Sequence, residues 1–203
     1  MNRIALVLVG SALLGGCSGS ADFGDDFDRE WVDGNIEQVW EADIGSSGWG
    51  LGLSLGEDSV CTVSSDAQIY VLALADGQKL QSQFLDFDES VAAATCDGQR
   101  AFIVLDDASA LLQAIGEDAE RWQVNLGRSL LGEPLFAGEN IIVFGADGTI
   151  EAWSANSGLL LWEHTQQVSG IRLEGFFRPL QVQDNVYAGL PSGDLLAIAA
   201  ETG

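Results

Sequence analysis

Basic side chains are scarce in this chain. Across 203 residues, 8 Lys and Arg stand against 31 Asp and Glu, a formal net charge of −23 at neutral pH. A surface this acidic repels phosphate backbones and anionic headgroups, so nucleic acid is excluded as a partner. Histidine occurs once, as His164 beside Trp162, too isolated for a catalytic triad or a zinc site. Cysteine occurs three times and never in adjacent positions. Long apolar runs are missing apart from Ile4 to Leu14, which is too short for a membrane-spanning helix. Helix-length periodic stretches are also few. Asp22, Asp25, Asp26 and Asp28 crowd one glycine-containing stretch. That stretch lacks the alternate spacing and bidentate Glu of a calcium loop, and it reads as a solvated tether.

What is present begins at the N-terminus. Met1-Asn2-Arg3 is a short, weakly positive start to the apolar run, the pattern of a secretory signal peptide. The run ends in Leu14-Gly15-Gly16-Cys17, followed by Ser18-Gly19-Ser20. This resembles the bacterial lipobox. The resemblance implies cleavage between Gly16 and Cys17, acylation of Cys17 and, with Ser18 rather than Asp after it, sorting to the outer membrane. Acyl chains anchor at about 0.8 kcal/mol per buried methylene. The expected organisation is a lipoprotein signal peptide over residues 1–16, a lipidated tether over 17–35 and a folded part over 36–203.

The folded part repeats itself. Trp40, Gln81, Trp122 and Trp162 form a ladder with steps of about 40 residues. Each step opens on a turn-forming pair: Glu57-Asp58, Asp97-Gly98, Gly138-Glu139 and Gln183-Asp184. A short apolar strand follows, at Val60 to Val63, Ala101 to Leu105, Ile141 to Phe144 and Val186 to Leu190. After a second turn comes another strand, at Ile69 to Leu72, Leu111 to Ile115, Ile150 to Trp153 and Leu195 to Ile198. A glycine turn then leads to the tryptophan position. Short strands with hairpin-scale turns predict an all-β fold, and this period with about four strands per unit predicts β-propeller blades. About four blades are counted. Cys61 and Cys96 could pair in an oxidising compartment. However, they occupy non-equivalent positions of different repeats, and the expectation is two buried thiols.

Ala152 to Trp162 reads Ala-Trp-Ser-Ala-Asn-Ser-Gly-Leu-Leu-Leu-Trp. It resembles the tryptophan-docking repeat of the PQQ-type propellers. Val71 to Gln81 matches its spacing with Gly77 in the glycine place, and Glu201-Thr202-Gly203 matches its turn. Between Ala114 and Trp122 the second unit looks two residues short. The resemblance implies that each tryptophan docks on the neighbouring blade, an architectural role. PQQ-type repeats joined to a lipobox are similar to the BamB family of outer-membrane assembly lipoproteins. Membership would imply an eight-bladed ring, of which this chain would be the N-terminal half. It would also imply a non-catalytic role in the β-barrel assembly machine, bound to a POTRA domain of BamA and to the outer membrane through the lipid. No cofactor is expected: the ligand set of quinoprotein dehydrogenases, with its adjacent cysteines, is not recognisable. Another ligand-binding propeller lipoprotein, or a dehydrogenase fragment, is the alternative.

The fourth unit is longer than the others, with extra residues around Gln166 to Phe177 that include Ile171, Leu173, Phe176 and Phe177. A longer loop with large apolar residues marks an interface candidate. BamB proteins carry a Leu-x-Leu-Arg-Gly segment here that contacts the POTRA domain, and Ile171-Arg172-Leu173-Glu174-Gly175 aligns with it. Ile171 and Leu173 match the apolar anchors. Glu174 stands in place of the arginine, which leaves Arg172 or Arg178 to supply the charge.

Overall fold

The computed structural model describes residues 38–45, 52–116, 120–166, 177–190 and 192–203. These lie in one compact unit, Gln38–Gly203. The secondary structure described is entirely β, in four antiparallel sheets taken in chain order. Blade 1 holds β1 (Leu53–Leu55), β2 (Ser59–Val63), β3 (Gln68–Ala73) and β4 (Lys79–Phe84). Blade 2 holds β5 (Val91–Cys96), β6 (Arg100–Leu105), β7 (Ser109–Ala114) and β8 (Glu120–Asn125). Blade 3 holds β9 (Leu135–Ala137), β10 (Asn140–Phe144), β11 (Thr149–Ser154) and β12 (Leu160–Thr165). Blade 4 holds β13 (Leu180–Val182), β14 (Asn185–Gly189) and β15 (Leu195–Ala199). Successive first strands touch, β1 with β5, β5 with β9 and β9 with β13, so they line the inner side of the arc.

Four aspartates build hairpins. Asp76 accepts the backbone N–H of Gln78 (2.9 Å), Asp97 those of Gln99 and Arg100 (3.0 and 2.7 Å), and Asp107 and Asp147 those of Ser109 and Thr149 (2.8 and 3.0 Å). Each carboxylate closes a local turn that the adjoining strands then extend. A hydrogen bond with the Ser109 side chain, and after it the Ser109 backbone N–H, hold the exposed Asp107 carboxyl below its ordinary value.

The blades stack through three apolar layers. Between blades 1 and 2 lie Val63, Ile69, Val71, Ala94, Ile103 and Leu111. Phe102, Val104, Leu112, Ile141 and Val143 fill the next layer, and Ile142, Phe144, Ile150, Val186 and Ala188 the third. In blade 2 successive strand residues point to opposite faces, and both faces are covered. This is why its strands read as continuous apolar runs rather than alternating ones.

The tryptophan ladder is a set of docks, from Trp40 ahead of β1 and from Trp122 and Trp162 on the outer strands β8 and β12. Trp40 Nε1 donates to the Leu74 carbonyl (2.9 Å), Trp122 Nε1 to that of Ala155 (2.9 Å) and Trp162 Nε1 to that of Ala200 (3.2 Å). Each ring lies over a glycine three residues further on. A Cβ at Gly77, Gly158 or Gly203 would come within 2.5, 2.7 or 3.0 Å of ring carbons, and all three glycines have positive φ. Only glycine provides both the turn and the clearance.

Two expectations need correction. The second unit is not short. Leu112, rather than Ala114, pairs across the sheet with the tryptophan position, as Ala152 does with Trp162 and Val71 with Gln81. A bulge follows at the same place in all three blades. Nor are Cys61 and Cys96 free thiols: they form a disulfide with a Cα–Cα distance of 5.9 Å. Their non-equivalence is what joins them, because the second strand of one blade faces the first strand of the next.

Candidate functional site

The inner strands supply the candidate site. Residues of β1, β5, β9 and β13, with their flanks, line an open cavity of about 670 Å³. Its apolar wall includes Leu53, Leu55, Leu135, Phe136 and Leu180, of which Leu53, Leu55 and Leu180 are exposed. Polar groups punctuate it. Ser54 Oγ lies 3.3 Å from Thr95 Oγ1. Arg100 ties the rim of blade 2 to blade 3: it pairs with Asp97 (2.7 Å) and Glu139 (3.2 Å) and sits over the Phe136 ring at 5.0 Å. Such a surface, apolar with a few fixed charges, suits a protein segment better than a small polar substrate.

Arg178 stands at the edge of this cavity and pairs with Glu133 at 3.3 Å. Burial raises the Glu133 carboxyl above its ordinary value, and the Arg178 charge opposes that rise. Arg178 remains about half exposed. The segment expected to meet a partner, Ile171, Arg172, Leu173 and Glu174, lies outside the described residues, as does Cys17. Phe177 is placed, and it departs from expectation. It packs edge-on against Phe144 with ring centroids 5.1 Å apart, pairs with Gly132, and joins the layer between blades 3 and 4. Phe177 therefore anchors the end of the long connection instead of presenting it.

A second polar cluster lies in blade 3. Arg128 pairs with Asp147 (3.0 Å) and with the buried Glu151 (3.1 Å), which also accepts from Trp153 Nε1 (3.0 Å). Burial raises the Glu151 carboxyl. Trp153 and Arg128 resist the rise, while Glu163 and Asp147 add to it. With its oxygens satisfied, this cluster is structural. Sequence reasoning missed it because Arg128 lies in the connection before blade 3 and Glu151 sits mid-strand. His164 is exposed on β12. Among the described residues no group of three or more His, Cys, Asp and Glu could hold a metal ion, and no helix is long and apolar enough to cross a membrane.

Successive antiparallel sheets, inner strands in mutual contact and the tryptophans of β8 and β12 seated on turns of the blades that follow define a tryptophan-docked β-propeller arc. Comparison with known proteins makes the class specific. The family model for the outer membrane protein assembly factor BamB matches residues 65–203. The BamB protein of Bordetella pertussis is 27% identical over 99% of this chain and 53% of its own length. That of Shewanella oneidensis is 26% identical over 55% of this chain and 29% of its own. In three dimensions the arc superposes on the crystal structure of BamB from Moraxella catarrhalis with a TM-score of 0.54 and 17% identity, covering 80% of this chain and 49% of that one. This chain belongs to the BamB family. It spans about half the length, or less, of the curated relatives it matches.

Proposed function

We propose that the protein acts as a non-catalytic scaffold of the β-barrel assembly machine. Acylated Cys17 holds it to the outer membrane with the propeller in the periplasm. It binds a POTRA domain of BamA and assists insertion of barrel proteins. The observation that carries this reading is family membership over residues 65–203. The apolar inner face supports it, because that face is suited to a protein partner and Arg178 at its rim directly follows the long connection. Ile171 and Leu173 are the apolar anchors of the contact. Arg172 and Glu174 provide its charges, and Arg178 is positioned to add to them.

The test is recovery of the tagged full-length lipoprotein from solubilised outer membrane. BamA should accompany it, and the N-terminal peptide should begin at an acylated Cys17. Ile171→Ala with Leu173→Ala should weaken BamA capture about thirtyfold, the effect of losing about 2 kcal/mol at a hot spot, while leaving the melting curve unchanged. Undiminished capture by the double variant would place the partner site elsewhere. Absence of every assembly subunit would sink the reading.

A further inference from the structure

The boundary between blades 1 and 2 departs from the others described. Leu74, Ile115, Ala155 and Ala200 are equivalent turn residues, since each donates its N–H across the hairpin to Asp58, Gln99, Glu139 and Asp184 respectively. Three residues beyond them stand Gly77, Asp118, Gly158 and Gly203. The side chains that meet these turns come from Trp40, Gln81, Trp122 and Trp162. In sequence this boundary thus lacks both halves of the dock: Gln81 on β4 stands in place of the tryptophan, and Asp118 stands in place of the glycine three residues beyond Ile115. Gln81 lies exposed on β4 and buries no ring. A hydrogen bond from the Gly116 N–H to Gln83 Oε1 (2.9 Å) spans the rim here.

The same boundary carries the disulfide. Cys61 in β2 and Cys96 in β5 are each 2% exposed, inside the apolar layer shared by the two blades. Strand registers make Phe102 and Phe136 the equivalent residues one boundary further on. There, two aromatic side chains belong to the layer between blades 2 and 3, and Trp122 closes the outer rim. At the first boundary those two positions are Cys61 and Cys96, Phe87 packs at the layer's edge, and among the described residues no tryptophan closes the rim. This boundary has a covalent link between residues 35 apart in sequence.

We propose that Cys61 and Cys96 form an oxidative staple in place of the aromatic dock, so that the blade 1–blade 2 boundary locks on oxidation and loosens on reduction. Closing the staple joins two thiols through their Sγ atoms. Two protons are released and two electrons pass to the disulfide of an oxidoreductase by thiol–disulfide exchange; a dithiol reductant returns them. An oxidising compartment is therefore part of what holds this blade pair together.

The experiment compares the full chain with and without dithiothreitol, beside Cys61→Ala/Cys96→Ala and a grafted dock, Gln81→Trp/Asp118→Gly. Reduction should lower the Tm of the parent by about 5–10 °C and expose Lys79 on β4 to trypsin. The double alanine variant should match the reduced parent whether or not reductant is present. In the grafted variant the Tm loss on reduction should shrink by at least half. An unchanged Tm and unchanged Lys79 cleavage on reduction of the parent would overturn the proposal, and that measurement needs no substitution to fold. So would a grafted variant that loses as much as the parent.

Discussion

Blade 2 and blade 4 are built from the same repeat and end up in different physical situations. In blade 2, β7 is buried at every position, and Leu112 is 0% exposed. In blade 4, β13 is exposed at every position, and Leu195 is 76% exposed. Blade 2 lies between two neighbours and feeds side chains into both adjoining layers. Among the described residues blade 4 has a neighbour on one side. Val186, Ala188 and Ile198 pack there, while Leu180, Ala197 and Leu195 on its other side are exposed. A blade is thus hydrophobic on both faces by design, and its stability comes from adjacency more than from its own hairpins. This is the nearest-neighbour behaviour of repeat proteins.

Three perturbations sharpen that comparison. The largest effect is expected for Phe102→Ala, which empties a fully buried site between blades 2 and 3 where the ring also meets Trp122 at 5.9 Å. Chemical denaturation should show a loss of about 3–5 kcal/mol. A loss below about 1 kcal/mol would mean that the layer collapses around the gap and that adjacency is less important than argued. An intermediate, pH-dependent effect is expected at Glu151. Its carboxyl is raised in the folded state, so its contribution is fully present below the ordinary glutamate value of 4.5 and is lost as pH rises through the folded-state value. Relative to Glu151→Gln, the parent should therefore gain Tm as pH falls from neutrality into that range. A Tm difference that is flat with pH would show that Arg128 and Trp153 fully offset the burial. The smallest effect belongs to Leu195→Gln on the open side of blade 4, which should alter stability by no more than about 0.5 kcal/mol. A larger loss would reveal that this face is covered.

The repeat made most of the middle strands legible. The apolar runs at Val60 to Val63, Ala101 to Leu105 and Ile141 to Phe144 are β2, β6 and β10, and three of the four ladder positions, Gln81, Trp122 and Trp162, fall on outer strands, with Trp40 outside any strand. The inner strands were not separately legible. β1, β9 and β13 have three residues each, too few to show a period, and their identity comes from lying beside the next blade. The register of blade 2 is not legible in the sequence, because Ala114 repeats the residue type of Ala152 while Leu112 occupies its place. Pairing of Cys61 with Cys96 depends on contacts between blades, about which spacing within a repeat is silent. Of the candidate site, Ile171 and Leu173 rest on resemblance alone and lie outside the described residues. The inner-face cavity and the Arg178–Glu133 pair required the structure, since they unite residues from separate blades.

The docks have a direction. Trp122 leaves blade 2 and lands on a turn of blade 3, and Trp162 leaves blade 3 and lands on a turn of blade 4. Every ring thus waits for a partner that lies later in the chain. A polypeptide emerging N-terminus first would complete each seam only when the following hairpin arrived, so assembly would proceed as a relay in the order of emergence. The Cys61–Cys96 seam obeys the same order, closing once β5 has come into reach of β2.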